Sequence, residues 1–524
     1  MRPFDANGAF QPTADGKDLR RLAVKGAGAT VFSSLLSTGI QIVATVVLAR
    51  LLSPQDFGVV AMVTTFSLLL VNFGLNGFTE AVVQREEINH FLVSNLFWIN
   101  VGFGVLLTAG FAASGTLLAK FYQNPRVVPV SVGVSATILV TSTSVQHIAL
   151  LKRAMRFSAL SVNDIIARFA GVGVAVILGL AGCGYWALIA GVIAQPLSQS
   201  IGAFFLCRWR PGRPRRVPGT ASMVRFAMNI YGRFTMNYFA RNLDNLLVGW
   251  RFNAQALGFY KKAYDLFALP AAQLVSPLTS VAVSALSKLK PDSEQYKRYL
   301  LNALAVTALV GMGLGATLTL VGADVIRLLL GPGWEEAGRI FTFFGPGIGV
   351  MLLYGTHGWI HLSIGKGDRW LRWGLVEFVV TGTLFVLALA WGPVGIAVAW
   401  TASFWILTIP SFWYAGRPIH LGVRPVIAVV WRYVVASVLA SFAAFAIIRS
   451  ILGLGVASSA MEAAVHILVK SVVFAAIYVG TVILLHWGCA PLSQLAGLLR
   501  EMVPRSSFPK RQASVAATSE ALVP

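Results

Sequence analysis

Asn229, Arg233, Asn237, Arg241 and Asn245 recur every fourth residue, and Asp244 stands beside the last of them. A four-residue step drifts only slightly around an α-helix, so these side chains form one polar stripe. The stripe lies within residues 223–249, a run long enough to cross a bilayer. An arginine facing lipid costs about 2.5–3.5 kcal/mol on insertion scales, so the stripe is expected to face water or a protein partner. Two readings follow. One is an interhelical network; the other is a hydrated, cationic cavity whose chemistry is electrostatic rather than bond-making. Two hundred residues earlier, Ser33, Ser37, Gln41 and Thr45 occupy the matching positions of another apolar run. That gives a neutral stripe on the equivalent face.

Other charges fall inside apolar runs. Asp164 and Arg168 are spaced i, i+4, which suits either mutual neutralisation or a place on the cavity wall. Glu377 reads as a coupling-ion candidate or as a shallow, wetted carboxylate, and Lys470 as a deeper cavity charge. Pro270 and Pro277 interrupt one run, where a kink can serve as a hinge. His147 reads as a hydrogen-bonded helix residue.

The elements that must carry these residues are membrane helices. The chain has 524 residues, 56% of them apolar and only 12% charged, against roughly 25% charged in soluble proteins. That excludes a soluble globular protein and a disordered chain. The net charge is +22, but the basic residues punctuate apolar runs, which argues against nucleic acid as a partner. A spanning helix needs about 20 apolar residues. Fourteen such runs are read, at 27–49, 57–78, 91–119, 127–151, 160–181, 185–207, 223–249, 257–284, 299–321, 337–363, 371–391, 394–415, 428–449 and 463–487. They are long and do not alternate, unlike barrel strands. Placing both termini in the cytoplasm puts most of the 42 lysines and arginines on the inner side.

Residues 49–58 and 249–258 share Gln55/Gln255 and Gly58/Gly258 across a turn of equal length. The first run thus pairs with the seventh. The expected organisation is a cytoplasmic segment (1–26), a first six-helix bundle (27–207) and a basic linker (208–222). A second six-helix bundle (223–415), two additional helices (416–487) and a cytoplasmic tail (488–524) complete it. Parallel repeats of this kind place a substrate between the halves.

No Walker A sequence appears, and no Cys/His cluster has zinc spacing. His357 and His361 are i, i+4, but Gly358 stands where a metalloprotease helix needs glutamate. The three cysteines set up no disulfide framework. No cofactor and no metal are expected. The longest outer loop is read as Gly322–Glu336, too short to hold a catalytic centre, so enzyme function is disfavoured.

Further motifs complete the picture. They are Arg50-Leu51-Leu52-Ser53-Pro54-Gln55-Asp56-Phe57-Gly58, Glu80-Ala81-Val82-Val83-Gln84 and Phe121-Tyr122-Gln123-Asn124-Pro125-Arg126. Leu151-Lys152-Arg153-Ala154-Met155-Arg156-Phe157, Gly184-Tyr185-Trp186-Ala187-Leu188 and Leu243-Asp244-Asn245-Leu246-Leu247-Val248-Gly249 follow. Leu257-Gly258-Phe259-Tyr260, Leu269-Pro270 and Leu330-Gly331-Pro332-Gly333-Trp334 end the series. In this order, over residues 25–490, the chain resembles the polysaccharide transporter branch of the multidrug/oligosaccharidyl-lipid/polysaccharide exporter superfamily. It is most similar to Wzx-type flippases of the colanic-acid exporter kind. Ser284-Ala285-Leu286-Ser287 departs from the proline expected there.

The resemblance implies an all-α membrane fold of about 14 helices in two lobes. It implies ion-coupled alternating access, without ATP, of polyprenyl-pyrophosphate-linked oligosaccharide across a bacterial inner membrane. Arg233 and Arg241 would then meet pyrophosphate, with Asn237, Asn245, Gln41 and Ser37 beside them. Asp244, Asp164 and Glu377 would be coupling-ion candidates, although Asp244 could equally hold Arg241 in place. Arg168 and Lys470 would contribute cavity charge. Membrane lipids are implied partners, as are a polysaccharide polymerase and a chain-length regulator. Alternatives within the superfamily are a cation-coupled multidrug exporter and a peptidoglycan-precursor flippase. The alternative of another class is a membrane ligase or polymerase of glycan assembly.

Overall fold

A computed structural model describes the chain except residues 2, 6, 12–18, 292, 452, 454, 456 and 495–524. Within its helices, the side chains at 19–24, 27, 74, 76, 233, 236, 237, 240, 269, 270 and 272–277 also lie outside the described set.

Among the described residues, sixteen α-helices follow one another from Leu19 to His486. They are α1 (Leu19–Leu51), α2 (Pro54–Asn72), α3 (Thr79–Gln84), α4 (His90–Tyr122), α5 (Val127–Arg153), α6 (Phe157–Leu180), α7 (Tyr185–Cys207) and α8 (Thr220–Arg251). Then come α9 (Ala254–Leu286), α10 (Glu294–Leu330), α11 (Glu335–Gly355), α12 (His357–Ser363), α13 (Gly367–Ala388), α14 (Gly392–Gly416), α15 (Val423–Ser450) and α16 (Ala460–His486). A π-helical turn, Phe73–Phe78, joins α2 to α3. No strand forms among the described residues.

Each of the fourteen apolar runs coincides with one long helix or with a broken pair. Eleven described segments have the length and hydropathy of a membrane span, one of them a 53-residue stretch, Gly367–Ile419, that holds both α13 and α14. Gly392, at φ +75°, makes the turn between those two. Gly182 and Gly184, at φ +75° and +56°, do the same between α6 and α7. One expectation is corrected: α10 continues to Leu330, so the loop read as Gly322–Glu336 shrinks to residues 331–334.

The helices alternate between the face that carries the N-terminus, here the N face, and the opposite face. At the opposite face the repeated hairpins cross. Ser53 caps α2 in a reciprocal box with Asp56, and Asn253 caps α9 by accepting the Ala256 amide at 2.8 Å. A Cβ on Gly58 would sit 1.6 Å from the Ala254 carbonyl oxygen, and one on Gly258 would sit 1.9 Å from that of Pro54. Only glycine lets two backbones approach so closely. Arg50 donates to the Leu328 carbonyl at 2.8 Å and Trp334 to that of Ala49 at 3.0 Å, tying the crossing to the α10–α11 turn.

One buried apolar cluster spans both halves at this opposite face, from Leu48 and Phe57 to Tyr260, Trp334 and Trp400. Towards the N face the described core divides in two. One part, including Phe78, Leu92, Val145 and Trp209, belongs to the first half and the start of α8. The other, including Leu300, Met312, Phe412 and Phe474, binds the second half to α15 and α16.

Candidate functional site

Helix α8 runs between the halves. Tyr231 donates to the Leu69 carbonyl at 3.0 Å and Tyr238 to that of Thr65 at 2.7 Å, which fixes one side of α8 to α2. Tyr231 also meets Phe73 of the π-turn edge to face at 4.8 Å. On the polar stripe, Asn229 and Arg241 remain exposed. Arg233 and Asn237 belong to the same helix, but their side chains lie outside the described residues, as do those of Pro270 and Pro277.

Asp244 and Asn245 are buried, 3% and 2% exposed. The Asp244 carboxylate accepts the Tyr260 hydroxyl at 2.9 Å, and at its other oxygen the Asn245 backbone N–H at 2.8 Å and side-chain amide at 3.3 Å. Its hydrogen-bond partner across the helix gap is therefore Tyr260 of α9. One turn of α9 adds three charges that the sequence reading passed over. Lys261 pairs with Asp265 at 2.7 Å, and the Lys262 ammonium lies 4.1 Å from the centre of the Phe57 ring on α2. Their i, i+4 spacing inside an apolar run was the signal available.

Glu377 of α13 is half-buried. It accepts the Tyr354 hydroxyl at 2.9 Å, and that oxygen in turn accepts Trp373 Nε1 at 2.8 Å. Arg241, Asp244 and Asn245 share one stretch of α8, which meets α9 through Tyr260 and α13 where a Cβ on Gly382 would sit 3.2 Å from Leu243. Glu377 on α13 and the Lys261–Asp265 pair on α9 thus stand on the helices that flank α8.

The first half has its own polar hub. Asp164 of α6 accepts Arg168 Nε at 3.2 Å, Ser37 Oγ of α1 at 3.4 Å and Gln199 Nε2 of α7 at 3.5 Å. Ser33 donates to the Ser161 carbonyl at 3.3 Å. The α1 stripe therefore packs on α6 rather than facing an open cavity, since Ser33, Ser37 and Thr45 are all buried. Gln41 is half-buried.

Lys470 departs furthest from its expected place. Its ammonium meets Asp324 of α10 at 2.7 Å, with side-chain exposures of 11% and 4%. It holds α16 to α10. His466 Nδ1 lies 3.6 Å from the same carboxylate. His147 meets the Trp209 carbonyl through Nε2 at 3.2 Å, as a hydrogen-bonded helix residue should. Among the described residues no group of three or more His, Cys, Asp or Glu side chains is placed to hold a metal ion.

Two helical hairpins crossed at one face, with a charged helix between the halves and many helices long and apolar enough to span a bilayer, define a multi-pass membrane protein. The fold matches two solved transporters. One is the lipid II flippase MurJ in an inward closed conformation (TM-score 0.63, 15% identity, 87% of this chain and 98% of that one). The other is an inward-facing multidrug resistance MATE family transporter of the MOP superfamily (TM-score 0.56, 12% identity, 74% and 98%). The chain belongs to the polysaccharide biosynthesis protein family, whose sequence profile matches residues 47–339.

Among curated relatives, the lipopolysaccharide biosynthesis protein WzxC of Escherichia coli is 24% identical over 61% of this chain and 65% of its own length. This chain thus spans just under two thirds of that relative. The teichuronic acid biosynthesis protein TuaB of Bacillus subtilis is 25% identical over 74% and 80%. The succinoglycan biosynthesis transport protein ExoT of Rhizobium meliloti is 23% identical over 71% and 74%.

Proposed function

We propose that this protein is a flippase that moves a polyprenyl-pyrophosphate-linked oligosaccharide from the inner to the outer leaflet of a bacterial inner membrane. The N face would be cytoplasmic, and the polymer would be an exopolysaccharide or lipopolysaccharide. The observation that carries this reading is Arg241, exposed on a helix that runs between the two halves. A guanidinium there suits a pyrophosphate, which it can grip through two oxygens at once. The relatives' roles in polysaccharide biosynthesis and transport support the cargo class.

Residues 27–207 and 223–415 would rock as two lobes, with residues 416–487 riding on the second. The split core at the N face and the glycine crossing at the other suit a state closed to the outside. An ion gradient would drive the cycle, with Asp244, Asp164 and Glu377 as coupling candidates. Asn237, Asn245 and Arg233 would complete the binding helix. A polysaccharide polymerase and a chain-length regulator would act downstream, and the chain itself would make and break no covalent bond.

The test is export in a strain lacking the chromosomal gene. Arg241→Ala should lower polymer export at least about tenfold at normal protein levels, the equivalent of one charge-assisted hydrogen bond. Arg241→Lys should recover only part of it. Full export by the alanine variant would overturn the cavity assignment.

A further inference from the structure

The segment between α7 and α8 carries five arginines in nine residues, Arg208, Arg210, Arg213, Arg215 and Arg216. It forms no helix, and yet its backbone is pinned along its length. Trp209 is buried and donates to His90 Nδ1 at 3.0 Å. The Gly212 amide donates to Ser94 Oγ at 2.9 Å, and the Gly212 carbonyl accepts Trp98 Nε1 at 2.8 Å. Asn95 holds Arg215 at both backbone groups, accepting its N–H at 2.9 Å and donating to its carbonyl at 2.5 Å. A Cβ on Gly212 would come within 2.8 Å of His90 Nε2, so the strip lies hard against α4. Pro211, Pro214 and Pro218 stiffen what remains.

All five arginines are exposed. None has a carboxylate partner among the described residues; Arg215 lies over the Phe91 ring at 4.8 Å. A positively charged segment left uncompensated on a fixed frame is arranged to meet an anion from outside. The field is felt nearby: the Met1 ammonium, bonded to the Leu206 carbonyl at 2.9 Å, is held below its ordinary value by burial, then by Arg156 and Arg208. Beside the strip stand Phe91, Trp98, Phe204 and Phe205, 37%, 44%, 43% and 70% exposed, on the outer sides of α4 and α7. The phenylalanines face lipid, and an exposed indole such as Trp98 is a headgroup-layer residue on membrane helices.

We propose that this strip is a docking site for anionic phospholipid headgroups of the leaflet at the N face. The arginines stand beside lipid-facing aromatic side chains of α4 and α7, which suits a lipid better than a soluble anion or an acidic protein. Each basic residue near a charged surface strengthens its attraction for acidic lipid. Because the strip joins α7 to α8, bound lipid would brace the junction of the two halves. The inference stands on membrane placement and not on the cargo.

The test uses the full chain in bilayer nanodiscs of phosphatidylcholine doped with phosphatidylglycerol or cardiolipin, with retained lipids counted by native mass spectrometry. The triple variant Arg210→Gln, Arg213→Gln, Arg216→Gln leaves the pinned residues untouched. It should retain anionic lipid at least about tenfold less well, with phosphatidylcholine unchanged. The matching triple lysine variant should behave as wild type, which separates charge from misfolding. Equal retention by the glutamine variant would overturn the proposal. So would displacement of the lipid by millimolar inorganic phosphate, which would mark a free-anion site. Release of a co-purified acidic protein with lipid counts unchanged would overturn it as well.

Discussion

Lys470 and Asp324 are 146 residues apart in sequence, and their charged atoms are 2.7 Å apart. One belongs to α16 and the other to α10, so this ion pair is the polar fastening of the terminal helices to the second half. Tyr478 adds a hydrogen bond to the Leu309 carbonyl at 2.8 Å further along the same helices.

Removing one partner leaves the other charge buried and unmatched. Asp324→Ala is expected to destabilise the protein by about 3–5 kcal/mol, whereas Asp324→Leu combined with Lys470→Met should recover most of that loss. Thermal unfolding in one detergent compares the variants directly. Equal destabilisation by the single and double variants would count against a mutual pair.

Asp244 offers a separate test, of ion coupling. Asp244→Asn keeps its one oxygen for the Asn245 amide and turns an NH2 towards Tyr260, whose hydroxyl oxygen can accept it, but removes the ionisable group. In proteoliposomes, transport driven by an imposed proton gradient should fall at least about tenfold while cargo binding persists, the signature of a coupling free energy lost without a lost contact. Unaltered gradient dependence would make Asp244 an anchor for α9 alone. Tyr260→Phe should then cost about 1–3 kcal/mol of stability by stripping a donor from a buried carboxylate.

The glycine crossing predicts a steric effect. Gly58→Ala or Gly258→Ala places a methyl group inside the opposing backbone, and no side-chain rotation relieves that. Spin labels at the exposed Gln55 and Gln255 should report a longer and broader distance distribution than in the parent protein. An unchanged distribution would show that the hairpins part without passing through this contact.

Much of the fold is legible in the sequence because apolar run length is a direct consequence of bilayer thickness. The tight α13–α14 turn is visible in the same way, since Gly392 interrupts two runs that are each long enough to span. Which face a stripe turns to is less accessible. Ser33 and Ser37 have the same periodicity as the α8 residues, and yet they pack on α6 while Arg241 stays open. Periodicity identifies a face; only the neighbour decides what covers it. The partner of Lys470 stands 146 residues away, and apolar run length carries no information about such a pairing. Lys261 and Asp265 pair at i, i+4, so their run keeps its apolar character around them.

The crossing at the opposite face has the geometry of a two-fold homodimer interface built within one chain. Gly58 meets Ala254 as Gly258 meets Pro54, so each half offers the other the same surface. Self-complementary contacts of this type form and break as a set. Under the proposed alternating access, opening this face would have to part both glycine contacts, which would favour two settings of the crossing over a half-open one.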